Sequence, residues 1–330
     1  MIKNKIQAKP RLTFAMLDHM HLLDGLFVPQ ATEGQALYRV AATVVDGGKE
    51  IAVRFKGVQL SATHQSVLLA LAALASESVR VVPGSDAALA PLCAGGTALE
   101  QNSVIITTTR YRLLQVAGMT NTRDNYARLT TILSELSTII VEASTAAEIK
   151  TRILNDSTEA QSDTIEKRQV SADFSTSNLI SRVAGTGDDI TVALNWRLTR
   201  AIFGGRHAQV SLVERGLISA KSVTKILHSW LSSCVALGGS LGSGTGAHLE
   251  KLIQHVYGNR KCSDKEQEHR RARIKDSLND LTLLGWLVRY DDKIVHIGRP
   301  LNLPNYEKTK LALDAKNAEH YAMDQIADLF

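Results

Sequence analysis

The chain has 330 residues, 44% of them apolar, with a formal charge of +5 and an isoelectric point near 9.0. That is material for one large domain or two ordinary ones, and its basic balance fits an acidic partner without requiring one. Its longest apolar run, "VLLALAALA" (67–75), is far short of the roughly twenty residues of a membrane span, and three cysteines (Cys93, Cys234, Cys262) without a CxxC pair exclude a disulfide framework or zinc site and fit a reducing cytoplasm.

Residues 1–33 read as an N-terminal arm. Their start, "MIKNKIQAKPRLTF", is basic but lacks the apolar core of a signal peptide. Within the arm, His19 and His21 form a His–hydrophobic–His pattern. Nicking enzymes of rolling-circle replication use that pattern to hold a divalent ion, but they place it on a central strand. Here it precedes any sheet, so the expected role is packing of the arm onto the body.

A first domain is expected over 34–187. "ALYRVAATVV" and "EIAVRFKGV" flank Asp46-Gly47-Gly48-Lys49, a hairpin signal. Ser61 can cap a helix with Val67, Leu68, Leu71 and Leu74 on its apolar face. After a Pro/Gly-rich loop (81–99) come a strand (104–108), a short helix (109–117), a turn at Gly118 and a helix from about 121 to 137. The apolar face of that helix is Tyr126, Leu129, Leu133 and Leu136. A strand (139–143), a long polar loop and the return strand "RQVSADFS" read as a first wing.

The second domain, 188–300, repeats the order. "ITVALN" reads as a strand, "WRLTRAIFG" as a short helix, "AQVSLVERG" as a strand, and "SAKSVTKILHSWLSSCVAL" as a helix capped by Ser219. The Gly-rich "GGSLGSGTGAH" (238–248) lacks the Lys-Ser/Thr of a phosphate loop and reads as a flexible connection. "GAHLEKLIQHVYG" is a helix. "EHRRARIKDSLNDLTLLGW" is another, cationic early and apolar late through Ile274, Leu278 and Leu281. "WLVRYDDKIVHIGRP" is a hairpin. The expected fold is therefore α+β, mostly α, with two tandem winged helices. The second helix of such a motif offers its N-terminal turns to the DNA major groove and buries its C-terminal half.

Several blocks carry a family likeness: "DHMHLLDGLF", "LNWRLTRAIFGG", "VSLVERGLISAKSVTKILHSWL", "HLEKLIQHVYG" and "RRARIKDSLNDLTLLGW". With them the chain resembles the RepC-type replication initiators of IncQ plasmids and, more broadly, iteron-binding plasmid initiators built from two winged helices. The resemblance implies binding to repeated double-stranded origin DNA, origin opening and loading of a host- or plasmid-encoded helicase. It also implies monomer–dimer and copy-number control, and no enzymatic activity. The chain departs from the family in a polar insert (144–166) and a tail (301–330).

Residues 260–275 hold seven Lys/Arg against three acids, the footprint of phosphate binding. The candidate DNA contacts there are Lys265, Arg270, Arg271, Arg273 and Lys275, because arginine pairs bidentately with guanine. Arg289 and Lys293 on the second wing fit phosphate or the minor groove. Around the first turn the candidates are Arg110, Arg112, Arg123, Asn125 and Arg128, with Asn125 suited to adenine; this first domain also fits a dimerisation role. The tail carries five acids and three bases, which turns it from DNA toward a protein. Its end, "MDQIADLF", resembles a sliding-clamp docking peptide, with Gln325 on the pocket rim and Leu329 and Phe330 in the cleft. No cofactor, metal or membrane is called for, and the expected location is the bacterial cytoplasm. Two alternatives stay open: a dimeric repressor without an initiation role, and a nicking endonuclease using His19 and His21.

Overall fold

A computed structural model describes residues 14–17, 22–29, 38–46, 49–75, 104–144, 174–203, 208–218, 221–258 and 262–304. His19, His21, Ser219, the polar insert and the tail beyond 304, with Gln325, Leu329 and Phe330, lie outside them. In chain order the strands are β1 (Phe14–Leu17), β2 (Phe27–Val28), β3 (Tyr38–Asp46), β4 (Lys49–Gly57), β5 (Leu60–Ser61), β6 (Ile105–Thr109), β7 (Ile140–Ser144), β8 (Phe174–Asn178), β9 (Ile180–Thr186), β10 (Asp189–Leu194), β11 (Ala208–Ser211), β12 (Ala247–His248), β13 (Leu287–Asp291) and β14 (Ile294–Gly298). The helices are α1 (Ala62–Ala75), α2 (Arg110–Val116), α3 (Arg123–Thr138), α4 (Trp196–Phe203), α5 (Leu212–Leu217), α6 (Ser222–Cys234), α7 (Leu249–Tyr257) and α8 (Asp264–Leu283). The fold is α+β.

One unit occurs twice. In the first half α1, β6, α2, α3, β9 and β10 come in that order, with β7 and β8 between α3 and β9, and the sheet order is β6-β10-β9. In the second half α6, β12, α7, α8, β13 and β14 do the same, and the sheet order is β12-β14-β13. Each is a helix-turn-helix with a wing, and the two sheets are separate. The wing turns match in detail. Asp188 accepts from the Arg110 N–H at 2.8 Å, and Lys293 accepts from the Leu249 N–H at 2.9 Å. In both units the carbonyl of the second turn residue thus holds the first residue of the helix before the turn. The first turn residue has positive φ in both, 60° at Gly187 and 49° at Asp292. Gly and Asp are among the residues that enter this region most readily.

This pairing corrects two expectations. The hairpin β7–β8 exists, but it belongs to a four-stranded sheet, β3-β4-β7-β8. The wing that joins β6 is the next hairpin, β9–β10. The limit expected at 187–188 falls in the turn of that wing, so the ladder keeps "ITVALN" with the first half. Two local corrections follow from backbone bonding. "VERG" is helical, because the Ser211 hydroxyl caps α5 by accepting from the Glu214 N–H at 3.1 Å. The Gly-rich 238–248 stretch is built into the wing rather than left as a tether: Arg299 donates its N–H to Gly239 at 2.9 Å, and β12 pairs with β14.

α1 lies at the centre. Its sequence, ATHQSVLLALAALA, has no charged residue, and all but one of its side chains are buried. A helix apolar around its whole circumference must be covered on every side, and α1 packs against β1, α2, α3, α4 and α6. The N-terminal segment straps both halves to it. β1 pairs with β11, and β2 runs parallel to β5. Asp24 meets the buried His255 of α7 at 2.7 Å, and the Gly25 N–H donates to the His255 carbonyl at 2.8 Å.

The short helix α5 bolts the halves together with two adjacent charges. Arg215 turns toward α1: it donates to Gln65 Oε1 and Ser66 Oγ at 3.0 Å, and to Ser229 Oγ of α6 at 2.6 Å. These acceptors are neutral. Burial brings the Arg215 guanidinium down to about 9, which leaves it charged at neutral pH. Glu214 turns the other way and is fully buried. It accepts from Trp286 Nε1 at 2.8 Å, His228 Nε2 at 3.2 Å and Arg299 Nη2 at 3.4 Å. Arg299 follows the second wing and also donates to the Ser232 and Val235 carbonyls near the end of α6. Burial pushes the Glu214 carboxyl up, but the His228 hydrogen bond, Arg299 and the Trp286 N–H outweigh it and hold it at about 2. Burial also lowers the His228 ring below its usual range, against the pull of the Glu214 carboxylate that faces its Nε2.

Candidate nucleic-acid interface

The second helix-turn-helix is assembled around α8. Ser263 caps it, its hydroxyl accepting from the Glu266 N–H at 3.3 Å, and Asp264 and Glu266 sit in the first turn. Acids there suit the positive end of the helix dipole. Ile274, Ser277, Leu278 and Leu281 form the buried stripe. Thr224 of α6 donates to Asp280 at 3.0 Å and meets Ser277 at 3.1 Å, which fixes the C-terminal half of α8 on the supporting helix. Glu250 of α7 sets the crossing of the two motif helices. One of its carboxylate oxygens takes Gln267 and the other Arg271, both at 2.6 Å.

Successive residues of a helix turn by about 100°. Measured from the buried stripe, the opposite side of α8 holds Lys265, His269, Ala272 and Asp276, with Glu268 at its edge on the Lys275 side, and all are exposed. The arginines flank this face. Arg270 lies toward the core side, its side chain only 13% exposed, with Nε on Glu266 at 3.0 Å and the guanidinium 4.9 Å from the Tyr257 ring. It serves helix packing. Arg271 is exposed and paired with Glu250. Arg273 and Lys275 are exposed on opposite flanks, where phosphates border a helix lying in a groove. The charge of α8 is balanced: five cations (Lys265, Arg270, Arg271, Arg273, Lys275) stand against five acids (Asp264, Glu266, Glu268, Asp276, Asp280). The positive run picked out by composition is thus interleaved with carboxylates and is not a uniform patch.

The first helix-turn-helix has the same register. Leu129, Ile132, Leu133 and Leu136 of α3 are buried at the spacing of the α8 stripe. Ala127 therefore corresponds to Ala272, Arg128 to Arg273 and Arg123 to Glu268. Arg123 is exposed on the outward side. Arg128 lies on the flank and donates to Thr63 at 3.1 Å. Asn125 is turned inward: its Nδ2 donates to the Thr120 carbonyl and hydroxyl at 2.9 and 2.8 Å. It closes the turn, and the amide donors needed for adenine are already used. Arg110 and Arg112 are half-buried on α2, and Arg112 donates its backbone N–H to the Thr109 cap.

The wings differ in charge. The first has Asp188 and Asp189 at its tip, which disfavours phosphate there. The second carries Arg289 and Lys293, both exposed, beside Asp291 and Asp292. Sequence reading missed Glu268 and His269 on the outward face of α8. On a helical wheel His269 lies opposite Ile274, Leu278 and Leu281, and Glu268 lies at the edge of that side, about 20° from Lys275. Among the described residues no group of three His, Cys, Asp or Glu lies together to hold a metal, and no helix there is long and apolar enough to cross a membrane.

The chain matches no protein-family model and no curated protein. Among solved structures it is similar to domains 2 and 3 of RctB. One such structure, of a selenomethionine derivative, is 9% identical and has a TM-score of 0.48, with 86% of this chain and 98% of that chain covered. A second, of RctB domains 2–3, is 8% identical with a TM-score of 0.44, and 82% of this chain and 92% of that one are covered.

Proposed function

We propose that the protein is a replication initiator of the iteron-binding, IncQ-like kind. In this reading it grips repeated sites in duplex DNA with two winged helices, promotes opening of the adjacent DNA and helps load a replicative helicase. The observation that carries the proposal is the repeat of one complete unit, with α3 and α8 in the same register and each wing turn bonded to its motif. Such a helix lies in the major groove, and phosphate contacts around it set its orientation. Arg273, Lys275 and Lys265 on α8, Arg289 and Lys293 on the second wing, and Arg123 and Arg128 on α3 supply cations for those contacts. Two such units joined through α1 and α5 suit two successive turns of one duplex face. The same reading includes self-association between monomer and dimer, and the acidic tail as a protein-docking end for a sliding clamp.

Footprinting with the full chain on origin DNA tests the proposal. Protection should recur on one face of the helix at intervals of about 10 base pairs or a multiple. Permanganate-reactive thymines should appear beside the protected repeats. Protection without reactive thymines would favour the repressor reading, and the absence of any protected repeat would remove DNA recognition altogether.

A further inference from the structure

The edge of the outward face of α8, on the Lys275 side, carries a carboxylate where charge alone would ask for a cation. Glu268 is exposed, and no described residue bonds to it. The neighbouring acids have intramolecular work: Glu266 holds Arg270 at 3.0 Å, and Glu250 across the turn holds Arg271 at 2.6 Å. Glu268 therefore projects alone between Lys265 and Ala272, one helical turn from each and in the N-terminal half that meets base edges. A carboxylate there repels phosphate and reduces binding to duplex DNA of any sequence. It gains only where a donor on a base edge meets it. In the major groove the amino group of cytosine is the donor that glutamate characteristically takes. The position after the next turn, Ala272, is small and leaves room for the helix to approach the groove floor.

Resting on the DNA-binding reading above, we infer that Glu268 is a specificity-determining residue of α8 that reads a cytosine amino group, while Arg273 and Lys275 on the flanks hold phosphate. Arg270 and Arg271 set the helix rather than read bases. The corresponding position on α3 is Arg123, a residue type that selects guanine. The two winged helices would then read different base pairs despite their common register.

The test uses the full chain and a pool of random duplexes to select a site. Affinity for the selected duplex is then compared with that for duplexes in which each base pair is changed in turn. Wild-type protein should prefer C·G at one position of the α8 half-site by about five- to tenfold or more. In Glu268→Ala that preference should fall below about twofold at that position alone, and affinity for unselected duplex should rise as a repelling charge leaves. Glu268→Gln should move the preference from cytosine to adenine, because a glutamine amide pairs with the adenine edge. Selective binding by the Ala and Gln variants with every base preference unchanged would overturn the inference and leave the DNA-binding reading standing. A wild-type chain that selects no duplex would overturn both.

Discussion

Replacing Glu214 with alanine should remove about 3–5 kcal/mol from the unfolding free energy, the range for stripping one partner from a buried charge pair. Domains of this kind hold only about 5–15 kcal/mol in total, so the variant should unfold at much lower denaturant or fail to accumulate. The loss arises because Arg299, His228 and Trp286 all point donors at one carboxylate that has no exposure to water. Glu214→Gln keeps the shape but leaves the Arg299 charge uncompensated, and it should recover only part of the loss. Equilibrium denaturation of both variants measures this, and a midpoint near wild type would show that the cluster is not held as described. The same cluster sets an acid limit. The carboxyl sits at about 2 when folded against 4.5 otherwise, so its contribution is complete above pH 4.5 and drains away as pH falls toward 2. Burial lowers His228, His255 and His64 as well. Below about pH 6.5 the unfolded chain takes up protons that these folded rings refuse, so stability should begin to fall there, well before the carboxyl is reached.

The second large effect concerns Lys265, Arg273 and Lys275. All three are exposed and none is held in an ion pair among the described residues, though Arg273 lies beside the Tyr257 hydroxyl. Changing them together to alanine should leave the fold intact, since none lies on the Ile274–Leu281 stripe. A hydrogen bond to a charged group contributes about 1.5–3 kcal/mol, so DNA affinity should drop by at least about a hundredfold. The slope of log affinity against log salt should flatten by about 0.9 for each phosphate contact removed. Arg270→Ala is the contrast. It loses the Tyr257 stack and the Glu266 pair, so it should lower stability by about 1 kcal/mol and leave the salt slope unchanged. If Arg270→Ala flattened the slope and the triple variant did not, Lys265, Arg273 and Lys275 would not be the phosphate contacts of α8.

Much of this protein was legible from local pattern. The apolar spacing through Leu129 and Leu133, and through Ile274, Leu278 and Leu281, fixed which side of α3 and α8 is buried. Side chains at that spacing lie on one face of any helix, whatever surrounds it. The hairpins β3–β4 and β13–β14 were written in alternation and turn residues for the same reason. The tertiary structure alone decided which hairpin serves as the first wing. β10 finds β6 some eighty residues upstream, and strand pairing across that distance leaves no mark in the period of either strand. It also decided which cations are tied into ion pairs. Arg270 and Arg271 look like Arg273 in a charge run, but Glu266 and Glu250 pair with the first two only because of how α7 and α8 are placed. Glu214 carries the same lesson to the core. Its sequence neighbours read as a strand and mark it as an ordinary surface acid, and its burial comes from α6, Trp286 and Arg299 converging on it, because a buried carboxylate needs donors that no single segment supplies.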